Sequence, residues 1–357
     1  MEIIESDITI IGAGLTGLSI AYRLRGKQLD IRVIEARDRL GGRICTSYVE
    51  NQASVEAGAT WLGRKHQALV NLLQELGINI FEQELGERAI YEPISTSPHQ
   101  IVSLPPNTDP SYRIKGGTST LIQALAKSIP SDRIHTGQVV QSIEEVANGL
   151  LVKSDRQTFK SKIVVSTLPP NLFCSTITVD PSLPESLTAV AKATHTWMGE
   201  SIKIGLRYEK PFWRRGNSSG TIVSNVGPIT EMYDHSDFAD THYALKGFLN
   251  GSYYPLSREE RLGIVLDQLG KYYGKEAAHF SSYEELVWRK EPFTYAEYGA
   301  HVLPHQYNGH AVYQQAYLNG KLFIAGSETA AQFPGYMDGA VGGAAFVCRA
   351  VEKFYLL

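Results

Sequence analysis

Ile8-Thr9-Ile10-Ile11-Gly12-Ala13-Gly14-Leu15-Thr16-Gly17 stands near the start of the chain and decides how the rest is read. The first four residues have the make-up of a short buried strand. A G-x-G-x-x-G turn follows at once. Gly12 permits the tight turn, Gly14 lets the backbone approach a pyrophosphate, and Gly17 lets a helix pack closely on the strand. Leu18, Ala21 and Leu24 then recur at helical spacing up to a stop at Gly26. Ile31-Arg32-Val33-Ile34 reads as the next strand. It is closed by Glu35, 18 residues after Gly17, where an acid accepts hydrogen bonds from a ribose diol and disfavours a 2′-phosphate. Strand, glycine turn, helix and strand open a parallel sheet, and the helix N-terminus offers free N–H groups and partial positive charge to phosphates.

Two later stretches favour FAD over NAD. Arg39-Leu40-Gly41-Gly42-Arg43 follows Glu35 directly, with two glycines for close backbone approach and Arg43 able to pair with a phosphate. Near the far end, Gly326-Ser327-Glu328-Thr329 follows a strand, and Gly335-Tyr336-Met337-Asp338-Gly339-Ala340 opens a helix. A helix N-terminus beside a flavin stabilises negative charge on the reduced ring.

Between these ends, helices are expected over 71–76, 118–128, 258–273 and 339–354. Strands are expected over 139–143, 162–166, 201–208 and 322–325, and the Ser-, Pro- and Thr-rich stretch 94–110 reads as loop.

Composition sets the outer limits. The 357 residues carry a formal net charge of -3, with 43% hydrophobic and 20% charged residues, an ordinary globular balance with no electrostatic footprint for nucleic acid. Three scattered cysteines, Cys45, Cys174 and Cys348, make no disulfide framework and suit a reducing compartment. There is no run of 18 apolar residues to span a membrane, and the acidic start Met1-Glu2-Ile3-Ile4-Glu5 does not resemble a signal peptide, so a cytoplasmic protein is expected. His301, His305 and His310 match no helical face and have no obvious carboxylate partner; they read as solvent-facing loop histidines, and no metal site is expected.

Together these residues resemble the flavin-containing monoamine oxidase family, in order through most of the chain. Val55-Glu56-Ala57-Gly58-Ala59-Thr60-Trp61 looks like the family's segment that lines the flavin, and Lys115-Gly116-Gly117-Thr118 like its central Gly-Gly turn. Ser201-Ile202-Lys203-Ile204, followed by Lys210-Pro211-Phe212-Trp213, looks like its lysine strand, and the run from Phe323 through Ala340 is the most specific piece. The resemblance implies an α/β fold. A Rossmann-like FAD-binding domain would be built from separated segments (1–65, 113–195 and 291–357). A second α+β substrate domain, with an antiparallel sheet, would take 66–112 and 196–290.

It also implies site residues. FAD would be held by Gly12, Gly14, Leu15, Thr16 and Gly17, by Glu35, Ala36 and Arg37, and by Gly42 and Arg43. Gly58, Ala59, Thr60 and Trp61 would line the flavin, with Gly326, Glu328 and Met337, and Val140 would meet the adenine through its backbone. Tyr336 would form one wall of an aromatic cage. Trp288 and Glu291 resemble a further family segment, which puts Tyr298 at the facing wall. Lys203 would hold a water near the flavin and favour dioxygen reduction, although strand alternation alone puts it on an exposed face. Members with covalent flavin carry a cysteine just before the cage tyrosine. Here Glu297 stands there, which implies non-covalent FAD. The implied activity is oxidation of a small-molecule amine, with dioxygen reduced to hydrogen peroxide. Two other readings stay open: a related flavoprotein desaturase or oxidase acting on C–C bonds, and a non-catalytic flavin-binding protein. The resemblance names no particular amine and no oligomeric state.

Overall fold

The computed structural model describes residues 3–355; Met1 and Glu2, part of the start read above, lie outside the described residues. The opening strand, Ile3–Ile11, lies inside an eight-stranded sheet, parallel to Ile31–Ile34 on one side and to Thr158–Ser166 on the other. The two halves of Thr158–Ser166 have different partners. Residues 158–161 pair antiparallel with Gly149–Ser154, whereas 164–166 pair parallel with Leu322–Ile324. One sheet thus gathers strands from the start, middle and end of the chain.

Glycines set the close contacts of its first turn. Gly12 has φ +104°, and a Cβ on Gly17 would lie 2.0 Å from the Gly12 carbonyl oxygen. The Leu15–Leu24 helix therefore packs against the strand as its spacing implies. The last helix, Met337–Tyr355, packs on Leu15–Leu24 and on Gln67–Glu75. Buried Asp338 accepts from Leu69 N at 2.9 Å and ties the last two together. Leu69, Leu72 and Leu73 join the first core, with Leu18, Leu24 and Val341.

A seven-stranded sheet forms the second layer. Its order is Phe280–Val287, Ile202–Tyr208, Tyr243–Leu249, Ile229–Asp234, Ser218–Ser224, Arg88–Glu92 and Gln100–Ser103. Neighbours run antiparallel, except that Arg88–Glu92 is parallel to Ser218–Ser224. The Arg258–Tyr273 helix, opened by a Ser257–Glu260 capping box, covers one face. Ile202, Ile204 and Leu206 point into that core with Val265 and Leu269.

Several sequence expectations shift. The 94–110 stretch is not all loop, because Gln100–Ser103 pairs with Arg88–Glu92 as a hairpin. The expected helix at 71–76 starts earlier, at Gln67, and the last helix starts at Met337 rather than at 339. Every residue of Ile202–Tyr208 is buried. The strand is flanked on both edges, and its second face meets residues 53–58 of the first layer: Arg207 Nε bonds the Ala53 carbonyl at 2.6 Å, and Val55 fills the space over Gly205.

Candidate active site

A cavity of about 470 Å³ runs between the two layers. Its first end lies at the opening glycines. Gly12, Gly14, Leu15 and Thr16 line it, facing Gly42 and Arg43. Gly14 caps the Leu15–Leu24 helix with no side-chain bond to the first N–H groups, so those donors are left to the cavity. Gly42 has φ +56°, and a Cβ there would lie 3.4 Å from Gly14 Cα, so two turns meet backbone to backbone. Gly17 lies outside the lining and serves the helix–strand contact.

Glu35 is buried, and both its oxygens are engaged at 2.9 Å, Oε2 by Ala13 N and Oε1 by Arg37 N. It stands with Ala36 and Arg37 in the lining. Arg37 reaches across the chain to Glu291 at 2.8 Å and Thr294 at 3.0 Å. Val140, at the end of its strand, lines the same end.

Arg43 differs from expectation. It lines the cavity, but its guanidinium is committed to Glu328, at 2.5 and 2.8 Å, rather than free for a phosphate. Burial opposes charge on Glu328, yet Arg43 prevails and holds that carboxyl below its ordinary range. Gly326 and Glu328 do not line the cavity; Glu328 instead orients Arg43 and accepts from Trp197 N at 3.2 Å.

The second end is aromatic. Gly58, Ala59, Thr60 and Trp61 form one side, and Trp197, Tyr336 and Met337 another. Lys203 and Phe248 project from the seven-stranded sheet. Lys203 is 6% exposed, so burial overrides the exposed face that alternation suggests. Its Nζ donates to the Gly58 carbonyl at 2.6 Å. Burial pushes the amine down to about 8, against the pull of Glu56.

The expected pair of facing tyrosines is not what the structure holds. Tyr298 lies outside the cavity lining. Its hydroxyl accepts from Thr196 N at 2.7 Å, and its ring meets Tyr295 edge-on at 5.8 Å. The ring beside Tyr336 is Trp197, with centroids 5.7 Å apart. Gly335 makes room for it, since a Cβ there would lie 2.8 Å from Trp197 Cβ. His305, an exposed loop histidine as expected, stacks on Trp197 at 4.0 Å, and His66 lies 5.8 Å from Tyr336. Sequence reasoning missed Trp197 and Phe248 in the lining, and His66 and His305 as ring neighbours of Tyr336 and Trp197. The one local signal was Trp197-Met198-Gly199 just ahead of the lysine strand, where Met198 takes φ +58°.

The residues fit a flavin dinucleotide. An uncapped helix end and a glycine-on-glycine floor suit a pyrophosphate, a buried acid stands one strand away, and an aromatic chamber with a buried amine lies beyond. This fold and cavity define an FAD-binding oxidoreductase with a second, antiparallel-sheet domain closing over the ring end.

Comparison with known proteins narrows the class. The family model described as flavin containing amine oxidoreductase matches residues 15–101 and 99–351, and the chain belongs to that family. It is 25% identical to the mouse flavin-containing amine oxidase B, over 94% of this chain and 84% of that protein. It is 24% identical to the putrescine oxidase of Kocuria rosea, over 95% and 93%. Among solved structures, a putrescine oxidase with putrescine bound superposes with a TM-score of 0.85 at 23% identity, covering 99% of this chain and 100% of that one. Cyclohexylamine oxidase from Brevibacterium oxydans gives 0.85 at 19% identity, with the same coverage. The chain is thus a flavin-dependent amine oxidase: it oxidises an amine to an imine or carbonyl and reduces dioxygen to hydrogen peroxide. Among the described residues, no helix is long and apolar enough to cross a membrane.

Proposed function

We propose that the substrate is a small monoamine with an apolar body, oxidised beside the Tyr336 and Trp197 rings, with FAD held non-covalently along the cavity. The observation that carries this reading is the lining itself. Its ring end presents Trp61, Trp197, Tyr336, Phe248 and Trp288, and, among the described residues, the one carboxylate in the lining, Glu35, stands at the glycine end. A diamine such as putrescine, named for two of the relatives, would bring a second ammonium to a ring end that, among the described residues, offers no lining carboxylate to receive it.

Free alkylamines have a pKa near that of lysine, about 10.4, so they arrive charged. Desolvation against the aromatic lining lowers that value and favours the neutral amine. Tyr336 and Trp197 orient its lone pair. Tyr298 serves in this reading as a brace, its hydroxyl fixing Thr196 beside the indole. Lys203 keeps a positive charge at the cavity wall up to about pH 8, which favours negative charge developing on oxygen. Bound FAD supplies the acceptor for the hydride equivalent of the amine α-carbon.

Non-covalent attachment is supported by two features. Glu297 is exposed and paired with Arg289 at 2.8 Å, and none of the three free cysteines lines the cavity. The unpaired cysteines also support a reducing, cytoplasmic setting.

Anaerobic flavin reduction over a panel of benzylamine, alkylamines, putrescine and amino acids tests the reading. Fast bleaching by apolar monoamines and slow bleaching by putrescine is the expected pattern. Preference for putrescine would overturn the monoamine assignment. Reduction by an isoprenoid and by no amine would favour C–C oxidation.

A further inference from the structure

Behind the wall made by Trp61 and Phe248 lies a second lysine that the reaction as described does not use. Lys246 is fully buried, and its Nζ has no hydrogen-bond partner among the described residues. It lies over two rings instead, 3.8 Å from the Trp61 centroid and 4.2 Å from that of Phe248. Both rings line the cavity.

The sheet register brings this amine to Lys203. Lys203 pairs with Phe248, and Gly205 with Lys246, across the antiparallel ladder. Directly paired residues share a face, so Lys203 and Lys246 are diagonal neighbours on one face, with Cα atoms about 7–8 Å apart. Gly205, lying between them, contributes no side chain. Lys203 Nζ also lies over the Phe248 ring, at 5.1 Å, so one ring carries both amines.

We propose that Lys203 and Lys246 form a two-amine site sharing a single positive charge, held by Lys203 toward the cavity while Lys246 remains the neutral partner. Two like charges this close in a dry interface repel strongly. The charge settles where a carbonyl receives it. Lys203 has the Gly58 oxygen, and Lys246 has only ring faces. Those faces lessen the cost of a proton on Lys246 without matching a hydrogen bond, so the second amine can hold a proton transiently.

The groups facing Lys246 come from every packed element: Lys203 from its neighbouring strand, Glu56 from the first layer, Glu231 from the adjacent strand, and Arg113 from the Ser111–Ile114 strand. His235, buried with Nδ1 unpartnered, faces it too, and itself feels Arg113 and Arg207. Burial first, then Lys203, drives the Lys246 amine well below the ordinary lysine range, and Glu56 and Glu231 oppose them. Lys246 does not line the cavity, so it is a positioning residue that acts through Lys203.

This rests on the amine oxidase reading, but its test needs no turnover. Holoprotein carrying 13Cε-lysine is titrated by NMR, with Lys203→Met and Lys246→Gln assigning the two signals. In the parent protein Lys246 is expected to titrate below Lys203. In Lys203→Met its midpoint should rise by roughly one to two pH units, the size of the repulsion removed. An ordinary midpoint for Lys246, or one that does not move, overturns the proposal. Thermal melting of Lys246→Met adds a check. Replacing an unpaired buried amine by an apolar chain of similar length should leave the melting temperature unchanged or raised. A fall, or failure to fold, assigns Lys246 to packing and overturns the proposal. Coupled titrations in a protein that oxidises no amine would instead sink the proposed function and leave the pair standing.

Discussion

The Trp197 indole and the Tyr336 phenol stand with ring centroids 5.7 Å apart and planes inclined at 37°. They come from segments more than 130 positions apart in sequence, and His305 stacks on the indole at 4.0 Å while lying nearly parallel to the Tyr336 ring at 6.3 Å. Trp197→Ala should therefore remove one ring from the chamber wall, raising KM for apolar monoamines more than it lowers kcat. Tyr336→Ala should cut kcat/KM by about a hundredfold, the scale of a misplaced substrate, with flavin still bound. Steady-state kinetics beside the 450 nm absorbance separates these outcomes. An apoprotein in the Tyr336 variant would mean that the phenol serves packing.

Gly17→Ala tests the dinucleotide turn. Its methyl group would need the space of the Gly12 carbonyl oxygen, 2.0 Å away, so the helix must move off the strand. Overpacking of this kind costs about 1–3 kcal/mol and displaces the N–H groups meant for phosphate. The expected result is a colourless or weakly yellow protein, read from the 280 to 450 nm absorbance ratio. Full flavin content would show that the turn tolerates the shift.

Glu328→Gln tests the pair that joins the early and late segments of the FAD layer. Arg43 would keep its buried charge without a counter-ion. Because its side chain remains 26% exposed, the expected loss is about 2–3 kcal/mol, below that of a fully enclosed pair. The folded carboxyl titrates below its unfolded value. Its stabilisation is therefore present above the unfolded carboxylate pKa and is lost as pH falls through the folded one. Urea unfolding across the acid range should show the parent protein losing stability where the variant changes less.

Lys203→Met bears on the oxygen half-reaction. The Lys203 amine titrates at about 8, so its charge is present at neutral pH and is lost as pH rises through that value. Reoxidation of reduced enzyme by dioxygen, followed by stopped flow, should slow above about pH 8 in the parent protein and be slow at every pH in the variant. Reduction by amine should change less. Equal reoxidation rates in the two proteins would remove Lys203 from the reaction.

How much of this was legible in the chain follows from the reach of each interaction. The turn at Gly12–Gly17, the helix it opens and the acid at Glu35 are set by residues close together in sequence. Their backbone conformations and N–H groups follow from local sterics. The helix at 258–273 was read to its exact bounds for the same reason, since Ser257 and Glu260 cap it and Gly274, at φ +68°, ends it. The Gln100–Ser103 strand was not legible, because Arg88–Glu92, its sheet neighbour, supplies the reason for its extended form.

What the sequence alone determined, then, is the dinucleotide-binding opening, the helix at 258–273, the strands near 201–208 and 322–325 and, by resemblance, the family chemistry. Only the tertiary structure decided that Lys203 is buried, that Lys246 shares its face, that Arg43 is taken by Glu328, and that Trp197 rather than Tyr298 stands beside Tyr336. Period-two alternation tells which residues share a face of a strand, but not what covers that face. That depends on segments such as 53–58 and 196–199 arriving from elsewhere in the chain, and desolvation by such distant neighbours is what converts ordinary lysines and aromatics into a site.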